Sequence, residues 1–154
     1  MSKKKEKVYY MDFAIRHLWH KISRMYNQKA SHYDLTMSIG FILLNIEKEG
    51  TPSTQLGPKM GMEPTSLSRT LKTMEEKLLI YRKSDLHDKR KVLLFLTEEG
   101  IIKRKIARDV VFGFNEAMTK NIPKGKLKIF YDVAERLDIT LDAELKQLEK
   151  NETY

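Results

Sequence analysis

Thr65, Ser66, Ser68 and Arg69, with Lys72 one helical turn further on, crowd hydroxyls and cations directly behind Pro64. Small hydroxyls at a helix N-terminus donate to phosphate oxygens and let the backbone come close, and the helix dipole there favours anions. Arg69 has the length and the planar fork to reach O6 and N7 of a guanine in a major groove. An ordinary capped surface helix is the bland alternative. A second basic cluster follows: Arg82, Lys83, His87, Lys89, Arg90 and Lys91 stand close together against only Asp85 and Asp88. On a thin hairpin such a cluster suits a minor groove, where narrow A·T-rich tracts concentrate negative potential. Asp88 would repel phosphate if it faced out. Its better role is to accept hydrogen bonds from tip amides or to pair with a neighbouring arginine. Most charged hairpin tips are simply solvated.

These side chains need elements to carry them. Leu67, Leu71, Met74 and Leu78 give the buried face of a helix opening at Pro64, a residue suited to the first helical position because its missing N–H needs no partner there. A short helix near Ser53 to Met60, ending on Gly61, precedes it. The β-rich runs Leu79 to Lys83 and Lys91 to Leu96 enclose the polar tip and read as a hairpin. Upstream, Met11, Ile15, Leu18, Ile22 and Met25 mark an amphipathic helix between Tyr9 and Gln28. Thr36 caps a second helix through Ile39, Leu43 and Ile46 that stops at Gly50. Downstream, Thr97, Glu98 and Glu99 start a long helix to about Lys120, and Ile122 and Pro123 break it. A last helix carries Leu127, Phe130, Ala134, Leu137 and Leu141, near a heptad pattern, continued by Leu145 and Leu148. The fold expected is mainly α: a winged helix-turn-helix with a two-stranded β-wing at 36–97. Terminal helices at 8–35 and 98–150 have stripes too large to bury on so small a unit. They pack on one another in a monomer or pair between two chains, and pairing is the preferred reading.

Composition bounds the function. The 154 residues hold 29 Lys+Arg against 21 Asp+Glu, a formal charge of +8, which favours a polyanionic partner. With no cysteine, disulfide scaffolds and thiolate metal sites are excluded. Seven Gly and four Pro leave room for long helices. The longest unbroken apolar run, Val92 to Leu96, is far short of a membrane span. Asp12 and Arg16 interrupt what would be the apolar part of a signal after the basic N-terminal run. A cytoplasmic protein with no membrane partner is expected. No Gly-rich phosphate loop, paired catalytic carboxylates or nucleophile motif appears, so no enzyme and no cofactor are expected.

From Leu35 through Gly100 the chain resembles the MarR family of winged-helix transcription regulators. The family's wing signature stands here as Asp88, Lys89 and Arg90, the strand Val92 to Phe95, then Leu96, Thr97 and Gly100. Pro64 to Leu71 looks like its recognition helix. Met74 to Lys77, leading through Leu79 and Ile80 to Arg82, looks like its exit into the wing. The resemblance implies a homodimer whose two lobes read a palindromic double-stranded DNA operator, as a repressor that a small-molecule effector releases. It makes Thr65, Ser66, Ser68 and Arg69 major-groove or adjacent phosphate contacts, and Arg90 a minor-groove contact supported by Asp88. A winged helix that meets protein or RNA instead of an operator is the alternative.

Two departures from the family pattern stand out. Leu78 occupies the usual place of a glycine, and Pro58 falls inside the first helix of the helix-turn-helix, which is therefore expected to be short or irregular. Phe13, Trp19, Tyr26 and Phe41 supply aromatic surface for an effector pocket near the dimer cleft, although such residues are more often plain core. His17 and His20 are spaced to share a metal, but no further ligand completes a set, and no metal is expected.

Overall fold

Thr36 opens the first helix of the buried core. Its Oγ1 accepts the Ile39 N–H at 3.2 Å and caps the helix that follows. The structure, a computed structural model, describes residues 10–86 and 88–151. The basic N-terminal run, His87 and residues 152–154 lie outside those described. Among the described residues the elements run α1 (Met11–Ser31), α2 (Met37–Asn45), β1 (Thr51–Pro52), α3 (Ser53–Met60), α4 (Pro64–Glu76), β2 (Ile80–Ser84), β3 (Val92–Leu96), α5 (Glu98–Thr119) and α6 (Lys124–Asn151).

The core gathers Leu35 just ahead of α2, Ile39, Ile42, Leu43 and Ile46 from α2 and its end, Leu56 from α3, Leu67, Leu71 and Met74 from α4, Leu79 from the turn before β2, and Ile80 and Leu94 from the sheet. The steps 67, 71 and 74 lie on one face of α4, so its burial follows directly from helical periodicity. Ile42, Leu43, Ile46, Leu56, Met74 and Leu94 are fully enclosed. Truncating one of these to Ala typically costs about 2–5 kcal/mol.

The two-stranded wing expected is present as β2 and β3, and β1 adds a third antiparallel strand in the order β1-β3-β2. β3 pairs with β2 from Ile80 opposite Leu96 to Ser84 opposite Val92, and Thr51 of β1 lies opposite Leu94. β1 is two residues long and contains a proline, so neither length nor alternation marks it in the sequence. α2 also ends earlier than Gly50. Ile46 leaves the helix with φ −84° and ψ 120°, and Thr51 Oγ1 then accepts the Glu47 N–H at 2.8 Å. The Arg104 guanidinium of α5 donates to the carbonyls of Ile46 at 2.9 Å and Leu44 at 3.5 Å, filling acceptors that a helix end leaves open. α3 is short, as its proline suggests; the bond Pro58 cannot donate would have gone to exposed Thr54, and Gly61 closes the helix in the left-handed region at φ 59°.

Leu78 does not continue the buried face of α4 as expected: the helix ends at Glu76, and Leu78 takes the left-handed position a glycine would fill, with φ 55° and 72% exposure. Leu78 N–H bonds Glu75 O and Leu79 N–H bonds Met74 O, each at 2.9 Å, which turns the chain from α4 into β2. Buried Met74 and Leu79 provide the apolar contact that usually accompanies such a turn. Thr97 Oγ1 donates to Leu78 O and accepts the Gly100 N–H, joining the start of α5 to the same turn. A Cβ on Gly100 would lie 2.0 Å from Leu79 O, so only glycine allows this approach.

By internal contacts the chain forms two compact units, residues 1–112 and 113–154. The second contains α6, whose 28 residues include none that is buried. Among the described residues no helix is long and apolar enough to cross a membrane.

Candidate nucleic-acid interface

At 100° per residue, Thr65, Ser68, Arg69 and Lys72 form one stripe along α4, with Ser66 at its margin. All five are exposed, while Leu67 and Leu71 bury the opposite side. Glu63 supplies no side-chain cap, so the first-turn amides behind Pro64 are not occupied by it. Thr70 Oγ1 bonds back to Ser66 O and Thr73 Oγ1 to Arg69 O, which turns those two hydroxyls inward along the helix. Among the described residues Arg69 has no ion-pair partner, and Lys72 has only Glu76 at 4.0 Å across an exposed turn. The face thus offers hydroxyls, one unpaired guanidinium and a loosely paired ammonium.

The wing tip is built around Asp88. Its Oδ1 accepts the Arg90 N–H at 3.1 Å and the Arg90 Nε at 3.3 Å, while its own N–H donates to Asp85 Oδ1 at 3.0 Å. Lys91 N–H bonds Asp88 O at 2.8 Å, and Asp85 N–H bonds Lys91 O at 3.0 Å. The Asp88 carboxylate is 32% exposed and the Arg90 side chain 93%. The acid therefore sits inside the loop and the guanidinium stands outside it. Lys83 and Lys89 are exposed, and Lys91 Nζ lies 4.0 Å from Asp88 Oδ2.

Arg82 differs from the other wing cations. Its Nε contacts Glu75 Oε1 at 2.8 Å, which braces β2 against the end of α4. That side chain is committed to a protein partner at the hairpin's base and does not point from its tip. Glu75, seven residues upstream, carried no signal in the sequence beyond its charge.

Of the four aromatic residues assigned to a pocket, Tyr26 and Phe41 meet edge to face at 5.4 Å. They line an open, shallow apolar cleft together with Leu35, Thr36, Ala107 and Val110. Phe13 and Trp19 do not line it and are exposed on α1. Thirteen residues separate Phe13 from Tyr26, about 20 Å along a helix. His17 stacks on Phe13 at 6.1 Å, and among the described residues no group of three or more His, Asp or Glu is placed to hold a metal. One carboxyl departs from ordinary behaviour: Lys77, by hydrogen bond and charge, holds Asp34 below the usual aspartate range.

Residues 35–92 match the family model described as MarR family. Over 89 residues the chain is 30% identical to the HTH-type transcriptional regulator TtmR of Methylorubrum extorquens, an overlap of 57% of this chain and 46% of TtmR. Over 98 residues it is 32% identical to the HTH-type transcriptional regulator SarZ of Staphylococcus aureus, covering 62% of this chain and 66% of SarZ. The chain thus spans from about half to just under two thirds of the curated relatives it matches. The fold is similar to that of S. aureus MepR in a MepR–DNA complex, with a TM-score of 0.79 at 18% identity, over 86% of this chain and 99% of that one.

Proposed function

Residues 35–92 being a MarR-family domain, we propose that the chain is a sequence-specific double-stranded DNA-binding regulator of transcription, acting as a homodimeric repressor. The observation that carries this reading is the exposed stripe Thr65, Ser68, Arg69 and Lys72 over a buried apolar face, beside a wing whose Arg90 is held outward by Asp88. α4 enters the major groove by its N-terminal half, and Arg90 with Lys89 follows the adjacent minor groove. TtmR and SarZ are named as transcriptional regulators, and MepR is seen with DNA.

Dimerisation is supported by apolar side chains that the described chain leaves uncovered: Met11, Ile15, Leu18 and Trp19 on α1, and Phe130, Leu141, Leu145 and Leu148 on α6. Exposed apolar stripes along a helix mark association surfaces. Two lobes about one helical turn of DNA apart, ~34 Å, then occupy the halves of a palindrome. Binding over a promoter blocks it sterically. The Tyr26 and Phe41 cleft takes a small apolar effector, and an occupant that prefers another lobe spacing lowers operator affinity.

Selection of binding sites from random duplexes with the full chain tests the reading, with light scattering on the same sample. A recovered palindrome and a two-chain mass are expected. Recovery of no consensus, or equal competition by structured RNA at physiological salt, overturns it.

A further inference from the structure

Asp34 lies in the connection between α1 and α2 with φ 58°, a conformation that only glycine, asparagine and aspartate adopt readily. The flanking Tyr33 and Leu35 N–H groups both bond Ala30 O, at 2.9 and 3.0 Å. From this turn Asp34 reaches Lys77, the C-cap of α4: Lys77 Nζ donates to Asp34 Oδ2 at 2.7 Å and to Asp34 O at 3.2 Å. Lys103 of α5 adds a bond to Tyr33 O at 3.0 Å. Tyr33, Leu35 and Thr36 are also walls of the cleft. The turn is therefore shared by the cleft and by the exit of the helix proposed to read DNA.

We propose that Asp34 and Lys77 are positioning residues for DNA binding: their clasp fixes the exit end of α4 and thereby the angle at which the Thr65 to Lys72 face meets the groove. The proposal rests on the DNA-binding reading above. A 13-residue helix is about 20 Å long, so a rotation of a few degrees about its exit moves the Thr65 end by on the order of 1 Å. Among the described residues two ion pairs brace the exit, Lys77 to Asp34 and Arg82 to Glu75, beside the Thr97 bond to Leu78 O. The Lys77 brace is the one joined to the cleft, so an occupant that shifts Tyr33 or Leu35 acts on α4 through it.

The rival role for Lys77 is a direct phosphate contact, and the two roles differ in sign. If Lys77 meets phosphate, Asp34 competes for its charge and Asp34→Asn tightens binding. If the pair is a clasp, Asp34→Asn loosens binding, as Lys77→Gln does. The Asp34 side chain is 86% exposed, so the pair adds little to overall stability and melting temperatures should barely move.

The experiment measures affinity of the full chain for the selected duplex across a salt series, for wild type, Asp34→Asn, Lys77→Gln, the double variant and Lys77→Arg. The clasp predicts a loss of about two- to fivefold in each single variant. It also predicts a double variant no weaker than the worse single, substantial rescue by Lys77→Arg, and an unchanged slope of log affinity against log salt. Tighter binding by Asp34→Asn, additive losses, or a slope reduced by about one in Lys77→Gln overturns it. If wild type binds no duplex, the DNA-binding reading falls on that result alone. Amide exchange in the last turn of α4 then decides the clasp: equal acceleration in both single variants supports it, and unchanged exchange overturns it.

Discussion

Asp88 holds Arg90 from a single oxygen, accepting its backbone N–H at 3.1 Å and its guanidinium Nε at 3.3 Å. The carboxylate shapes the loop and aims the cation, so an acid can sit in a basic wing without facing the phosphate backbone. Arg90→Ala should weaken binding most on sites with A·T-rich flanks. Asp88→Ala should weaken it in the same flank-dependent way, although loss of a negative charge alone would tighten it. Binding titrations on duplexes that differ only in flank composition check both; tighter binding by Asp88→Ala would show that the acid does not position Arg90.

Arg69 is the unpaired guanidinium of the α4 stripe. Arg69→Ala should cost about 1–3 kcal/mol of binding and relax preference at one base position. Lys72→Ala should weaken all duplexes alike and lower the salt slope by about one. An equal loss on every sequence for Arg69→Ala would move that residue from base to backbone.

Gly100 meets the Leu79 carbonyl where a Cβ would stand 2.0 Å from oxygen. Within a helix, exchanging Gly for Ala ordinarily stabilises by about 1 kcal/mol. Here Gly100→Ala should instead destabilise by about 3 kcal/mol, because α5 must shift from the turn after α4. Urea unfolding reads the sign directly.

Leu78 holds a left-handed conformation at φ 55° that costs an L-residue about 1–2 kcal/mol. Leu78→Gly should raise stability by about 1 kcal/mol in the same unfolding measurement, since the side chain is mostly exposed and little burial is lost. A destabilised variant would mean that the leucine packs on something that its exposure hides.

Asp34 has its pKa lowered by the Lys77 hydrogen bond and charge. The folded value lies below the unfolded one, so the pair's contribution is present above the ordinary aspartate range and is lost as pH falls through the lowered folded value. Carboxyl NMR titration should place Asp34 below the ordinary aspartate value, and Lys77→Gln should return it toward that value. An unmoved titration in that variant would break the assignment.

The sequence by itself determined the helices, the hairpin and the two faces of α4, because residues three and four apart on a helix share a side whatever lies beyond it. Thr36, Gly61, Pro64 and Thr97 marked ends for the same reason, since caps and stops are made with near neighbours. Chemistry within a few residues was legible too, as Asp88 and Arg90 show. Tertiary structure decided what each charge and aromatic ring meets across longer distances. It tied Arg82 to Glu75 and Lys77 to Asp34, brought Tyr26 to Phe41 while leaving Phe13 and Trp19 outside the cleft, and added β1 to the sheet. These outcomes depend on how closely elements far apart in the chain approach one another. That distance is set by packing of the shared core, and a local repeat of apolar residues does not encode it.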